Sequence, residues 1–157
     1  MIKLFRVDHR LLHGQVAFSW SNAVGADAIL IANDDVAQSE MRMATIRLAK
    51  PAGMKLVIKG IDESAKILQS GVTDSYKLII IVESVKDAYR LYSQYEDLQT
   101  LNLGGAKKAE DTTSLGIAFH VTNEEKELLT KMLDSGLTIE VRQVPDDRKK
   151  VLTHDDL

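Results

Sequence analysis

Two almost unbroken apolar runs, Asp27 to Ala32 and Leu78 to Val82, constrain this chain more than anything else in it. A strand with one wet face alternates apolar and polar residues, so a continuous run reads as a strand covered on both faces. Segments of helical spacing lie between such runs. An α/β fold fits that alternation: an open, mostly parallel sheet of about seven strands with helices on both faces, forming a single three-layer domain.

Taken in order, Lys3 to Val7 reads as the first strand, and Val16, Trp20, Ala23 and Val24 fall at the spacing of one helical face. After the Asp27 to Ala32 strand, Asn33-Asp34-Asp35 opens a helix whose shared face is expected to hold Ala37, Met41, Ala44 and Leu48, with Pro51 and Gly53 closing it. Lys55 to Lys59 is a short third strand, and Ile61, Ala65 and Leu68 mark a helix ending near Gly71. Leu78 to Val82, the most apolar strand, is expected to be central. Ser84 with Asp87 resembles a capping box ahead of a stripe of Val85, Ala88, Tyr92 and Tyr95.

The last third changes character. Leu98 to Leu103 is a fifth strand, but Gly104 to Gly116 has no helical pattern and reads as a functional loop, with Ile117 to Val121 returning antiparallel. Thr122 and Glu125 cap a helix with Leu128, Leu129, Met132 and Leu133 on its core face, stopped by Gly136. Leu137, Ile139 and Val141 then alternate with Thr138, Glu140 and Arg142, as in a strand wet on one face near the edge of a sheet. The polar tail from about residue 146 is expected to have little structure. Residues 1–157 show no repeat or linker, so one domain is expected.

Ligands of open α/β sheets sit beyond the carboxyl ends of the strands. His13 follows the first strand, Asn33 and Asp34 the second, Glu83 the fourth, and Asn102 with Gly104 and Gly105 the fifth. The first of these carries the most chemistry. His13 and Gly14 stand where a helix begins, where unpaired amides and the positive end of the helix dipole attract an anion. Gly14 would let a phosphate approach without a Cβ in the way, and Arg10 offers a planar fork suited to phosphate oxygens. A guanidinium and a helix dipole beside His13 favour the uncharged, nucleophilic ring. Arg6, at the end of a strand, reads as structural more than Arg10 does, and Asp8 as a loop-orienting acceptor. Gln15 is a candidate polar contact, Trp20 a core residue, and Asn33-Asp34 either a cap or the edge of the site. Gly104-Gly105 reads as a turn.

The stretch Arg6-Val7-Asp8-His9-Arg10-Leu11-Leu12-His13-Gly14-Gln15-Val16, with Trp20, resembles the signature of the IIB subunits of the mannose/fructose/sorbose family of the bacterial sugar phosphotransferase system. The resemblance continues through Asn33 to Ala37, Asn102 to Gly105 and Glu140 to Pro145. His9 stands where that family commonly has an acidic residue or Asn, and Ala106 to Ser114 is less similar. The resemblance implies a phosphocarrier in which His13 takes a phosphoryl group from a phosphorylated IIA protein and yields it to a sugar entering through IIC and IID membrane subunits. It implies no cofactor and no metal, and a chain of this length is expected to use a separate IIA protein.

Composition narrows the remaining choices. A net charge of −3 argues against nucleic acid or an anionic membrane as partner. The absence of cysteine excludes disulfides, thiolate metal sites and a phosphocysteine. Met1-Ile2-Lys3-Leu4 lacks a signal peptide's core, and no apolar run nears the roughly 18 residues of a membrane span, so a cytoplasmic location is expected. Two rivals stand beside the relay. One is a metal-dependent hydrolase using Asp8, His9 and His13, which needs a continuous helix through that spacing. The other is a non-catalytic flavodoxin-like binder of small molecules. The sugar and the oligomeric state are left open.

Overall fold

A computed structural model describes residues 1–157. The chain forms nine strands and six α-helices: β1 (Ile2–Asp8), α1 (Gly14–Val24), β2 (Ala28–Ala32), α2 (Asp34–Ala37), α3 (Glu40–Leu48), β3 (Lys55–Lys59), α4 (Ile61–Gln69), β4 (Leu78–Val82), α5 (Val85–Gln94), β5 (Thr100–Gly105), β6 (Thr113–Gly116), β7 (Phe119–Val121), α6 (Asn123–Asp134), β8 (Thr138–Val141) and β9 (Lys150–Val151). Seven strands make one sheet in the order β3-β2-β4-β1-β5-β8-β9, parallel throughout except for the antiparallel β9. The expected three-layer α/β architecture is the one observed.

The apolar runs are continuous because each strand feeds two cores. Along β4, Ile79 and Ile81 join Leu4, Ala17, Trp20, Ile29 and Val36 beneath α1 to α3. Leu78, Ile80 and Val82 instead join Phe5, Leu30, Ile61, Leu91 and Leu129 beneath α4 to α6. All five β4 residues are buried, and at about 25 cal/mol per Å2 of apolar area such strands dominate the stability of the domain. β4 is interior, as its composition requires.

Four expectations need correction. The helix after β2 breaks in two, because Ser39 accepts a hydrogen bond from the Arg42 amide and starts a new helix. That restart turns the buried side to Val36 and Ile46, leaving Met41 and Leu48 in solvent at 82% and 89% exposure. Ile117 to Val121 is not a strand of the main sheet: β7 pairs antiparallel with β6 in a separate hairpin, and Ile117 is fully exposed at its turn. Glu140, expected on a wet face, is buried beside Asn102 on β5. The tail after Pro145 is structured as well. Arg142 turns it back through bonds to the Asp147 and Pro145 carbonyls, β9 pairs with β8, and Leu152 is buried at 3% exposure.

Candidate active site

The loop leaving β1 is a tight turn built on one carboxylate. Asp8 accepts from the Arg10 amide through Oδ1 at 3.0 Å, and its carbonyl accepts from the Leu11 amide at 2.9 Å. Leu11 is the one non-glycine residue with positive φ, at 58°. A leucine pays for that conformation with strain, and here burial of its side chain in the core under α1 holds it. The His9 amide donates to the Gly105 carbonyl at 3.0 Å and ties the loop to β5.

This turn delivers His13 to the N-cap of α1 with extended backbone and no bond from its side chain to the helix amides. The ring is therefore free for other work. Its Nε2 lies 3.0 Å from Asp8 Oδ2, and its side chain is 21% exposed. The first-turn amides of Gly14, Gln15 and Val16 have no acceptor four residues back, and no acidic side chain occupies that turn. Gly14 has φ of 38°, with open space where a Cβ would stand.

Asp8 is the hub. Its side chain is 2% exposed and also accepts from Arg6 Nη2 at 3.0 Å. Burial on its own pushes the carboxyl up, but the His13 bond, the Arg10 amide and the Arg6 charge together hold it below the usual carboxylate range. Asp8 is therefore ionised and acceptor-only. With both oxygens occupied and no solvent access, it is not placed to activate water. The charged group touching the His13 ring is this carboxylate, where the sequence suggested a guanidinium.

Arg6 is as buried as its partner. Nη1 donates to Asn102 Oδ1 at 2.7 Å and to the Arg142 carbonyl at 3.2 Å, and Cζ stands 5.5 Å from the centroid of the Trp20 ring. Burial pulls the guanidinium below its ordinary value against the attraction of Asp8. Arginine's intrinsic basicity keeps it charged all the same. The Arg142 guanidinium also lies 5.5 Å from the Trp20 centroid, and Trp20 Nε1 donates to the Gln143 carbonyl at 3.0 Å. Three segments far apart in sequence thus converge on one buried arginine.

A family profile described as the PTS system sorbose subfamily IIB component matches residues 2–154. The chain belongs to this family. A probable phosphotransferase enzyme IIB component of Streptococcus pyogenes is 38% identical over 103 residues, which cover 66% of this chain and 63% of that protein. The fructose-specific EIIB component of Bacillus subtilis is 28% identical over 146 residues, covering 93% of this chain and 90% of its own length. The crystal structure of the IIBSor domain of the sorbose permease from Klebsiella pneumoniae superposes with a TM-score of 0.91 at 26% identity, covering 99% of this chain and 95% of the other.

Within this IIB component the residues singled out from sequence separate into groups. His13, Asp8, Arg6 and Gly14 come together at the end of β1. Arg10 and Gln15 flank them in exposed positions. Asn33 and Asp34 follow β2, with β4 between them and β1. Asn33 caps α2 by accepting from the Val36 amide, and Asp34 accepts from the Ile61 amide and pairs with Arg90 at 2.8 Å, so both side chains serve local structure. His9 and His13 flank Asp8 across a turn and share no helical face, since α1 begins only at Gly14.

Gly104-Gly105 is not a turn in this IIB chain. Both residues end β5, and a Cβ on Gly104 would overlap the Arg6 guanidinium, while one on Gly105 would lie 3.1 Å from Asp8 Oδ1. Glycine is required by the bulk of the buried ion pair. Sequence reasoning missed this, and also missed Asn102 and the Arg142 carbonyl as partners of Arg6. The signal was present in the two distant motifs, but joining them needs the adjacency of β1, β5 and β8.

Proposed function

We propose that this IIB component is the relay of a sugar phosphotransferase system, carrying the phosphoryl group on Nδ1 of His13. The hydrogen bond between the ring and Asp8 carries the reading. An ionised carboxylate can only accept, so Nε2 holds the ring proton and Nδ1 keeps its lone pair. No protein group bonds Nδ1. The unpaired amides of the first turn of α1 supply donors for phosphoryl oxygens, and the exposed Arg10 and Gln15 stand by to add theirs.

In the first step Nδ1 attacks the phosphorus of a phosphohistidine on the IIA protein. The new N–P bond forms as the donor's N–P bond breaks, and the donor imidazole leaves. The His13 ring, protonated at Nε2, then carries positive charge that the Asp8 carboxylate balances. In the second step a sugar hydroxyl displaces His13 from phosphorus, and its proton passes to the departing imidazole and on to solvent. Apart from the bond exchange at His13, the protein supplies alignment and charge stabilisation. The burial of Asp8 supports a phosphorylated state that outlives the exchange of partners.

The donor is a phosphorylated IIA protein, and the sugar is delivered by IIC and IID membrane subunits. No helix of this chain is long and apolar enough to cross a membrane. Incubation with phosphorylated IIA tests the assignment. Wild type and His9→Ala acquire one acid-labile, alkali-stable phosphate and His13→Ala acquires none. Label on His13→Ala overturns it.

A further inference from the structure

Strand order breaks direction at β1. The helix that leaves it, α1, covers one face of the sheet, whereas the helices beyond its neighbours, α5 after β4 and α6 after the hairpin that follows β5, cover the other. Such a switch parts the loops at the strand ends, and doubly wound sheets bind ligands in the crevice that results. A crevice of about 560 Å3 opens here, walled by His9 and Arg10 from the β1 loop, Glu83 and Ser84 beyond β4, and Lys107 with His120. His13, Gly14 and Gln15 take no part in its wall.

The charge of this crevice is lopsided. Glu83 is held by Arg42 at 3.2 Å, and Glu125 is engaged with Thr122 in a capping box, while Arg10 and Lys107 have no acidic partner. His120 uses Nδ1 on the Ala106 carbonyl at 3.1 Å, which leaves Nε2 for a ligand. His9 Nδ1 is buried 3.8 Å from Asp8 Oδ1, facing the turn and not the crevice. Ser84 caps the Asp87 amide, so the amides of Val85 and Lys86 at the start of α5 add unpaired donors. Unmatched cations gathered in a chain of net charge −3 select an anion, and the volume, far more than a lone phosphate needs, is that of a small-molecule site.

We infer that this crevice is a second ligand site, for a hexose monophosphate. Arg10, Lys107 and the α5 amides take the phosphate, and His120 and Glu83 take sugar hydroxyls. The choice of sugar rests on the relay reading, because a hexose phosphate is what that reaction releases; the place and charge of the site do not. A product held across the Asp8 turn from His13 would bind the resting protein and slow its next cycle.

Calorimetric titration of the full chain with the monophosphates of glucose, mannose, fructose and galactosamine tests this, with the free hexoses and inorganic phosphate as separate arms. At least one hexose phosphate binds, amide shifts map to His9, Ser84, Lys107 and His120, the free hexose does not saturate, and inorganic phosphate binds about tenfold more weakly or worse. Lys107→Glu, an exposed and unpaired position, weakens binding about tenfold or more with an unchanged Tm. His13→Ala binds the hexose phosphate like wild type although it accepts no label, so failure of the relay and failure of the crevice are told apart. No binding, equal affinity for inorganic phosphate, unchanged affinity in Lys107→Glu, or loss of binding in His13→Ala each overturns the proposal.

Discussion

The backbone of Gly104 lies against the Arg6 guanidinium so closely that no side chain fits between them. Even a methyl group would force Arg6 out of its contacts with Asp8 and Asn102, in a place where neither ion can reach water. Breaking a buried pair from one side costs about 3–5 kcal/mol. Gly104→Ala is therefore expected to lower Tm by roughly 6–20 °C for a domain of this size, read by thermal unfolding. A Tm within a degree of wild type would mean that the guanidinium is free to move.

Asp8→Asn separates geometry from charge. The amide fits the same space, but it leaves Arg6 without a counter-ion and can donate to His13 Nε2, which would shift the ring proton to Nδ1. Phosphoryl acceptance from IIA is expected to fall on the order of 100- to 10,000-fold, the range for carboxylates that orient a functional histidine. Nitrogen NMR of the imidazole checks the tautomer directly. A rate near wild type with the proton still on Nε2 would remove Asp8 from the mechanism.

The depressed Asp8 carboxyl also sets a pH dependence. Its folded pKa lies below the unfolded value of about 3.9, so the unfolded chain binds the proton more tightly. The stability it contributes is present above the unfolded pKa and is lost as pH falls through the folded one. Asp34 is depressed as well, chiefly by its bond to Arg90, and Asp87 is raised, chiefly by burial, so the total acid response mixes signs. The difference between wild type and Asp8→Asn in urea titrations isolates the Asp8 share. That difference is expected to shrink as the solution is acidified below about pH 4. A constant difference across the acid range would contradict the linkage.

Trp20 is the only tryptophan and stands against two guanidinium groups, so its fluorescence reports on the site. Trp20→Phe removes the donor to the Gln143 carbonyl and weakens both cation contacts. Equilibrium unfolding followed by circular dichroism is expected to show a loss of about 1–3 kcal/mol. A neutral effect would mean that the segment after β8 is held by Arg142, the β9 pairing and Leu152 without help from Trp20.

Much of the fold was legible because burial on both faces writes itself as unbroken apolar letters, as in Leu78 to Val82. Helix starts were legible where a cap and its acid agree, as at Thr122 and Glu125, which form the reciprocal capping box. Ser39 was harder. It caps a second helix inside a pattern that reads as one, and the new helix buries Ile46 and leaves Met41 and Leu48 exposed. The tail escaped notice because two residues of β9 and one buried leucine are too few to show a period.

The sequence marks His13 and its neighbours as the candidate site, but not the contacts that support them. A glycine selected for positive φ and one selected for close approach share a letter, so Gly104 passed for a turn. Asn33 and Asn102 likewise look equivalent in sequence, each polar and each at the end of a strand. Only the order β2-β4-β1-β5 sends one to cap a short helix and the other to hold Arg6.

Any open sheet has two rims at which another molecule could add a strand and begin fibrous growth. In this protein one rim, β3, carries an exposed lysine at each end, Lys55 and Lys59, whose burial and charge such an addition would have to overcome. The other is closed by β9, only two residues long, reversed in direction and fastened by Leu152. The same tail that braces the β8 side also denies that rim to an incoming strand.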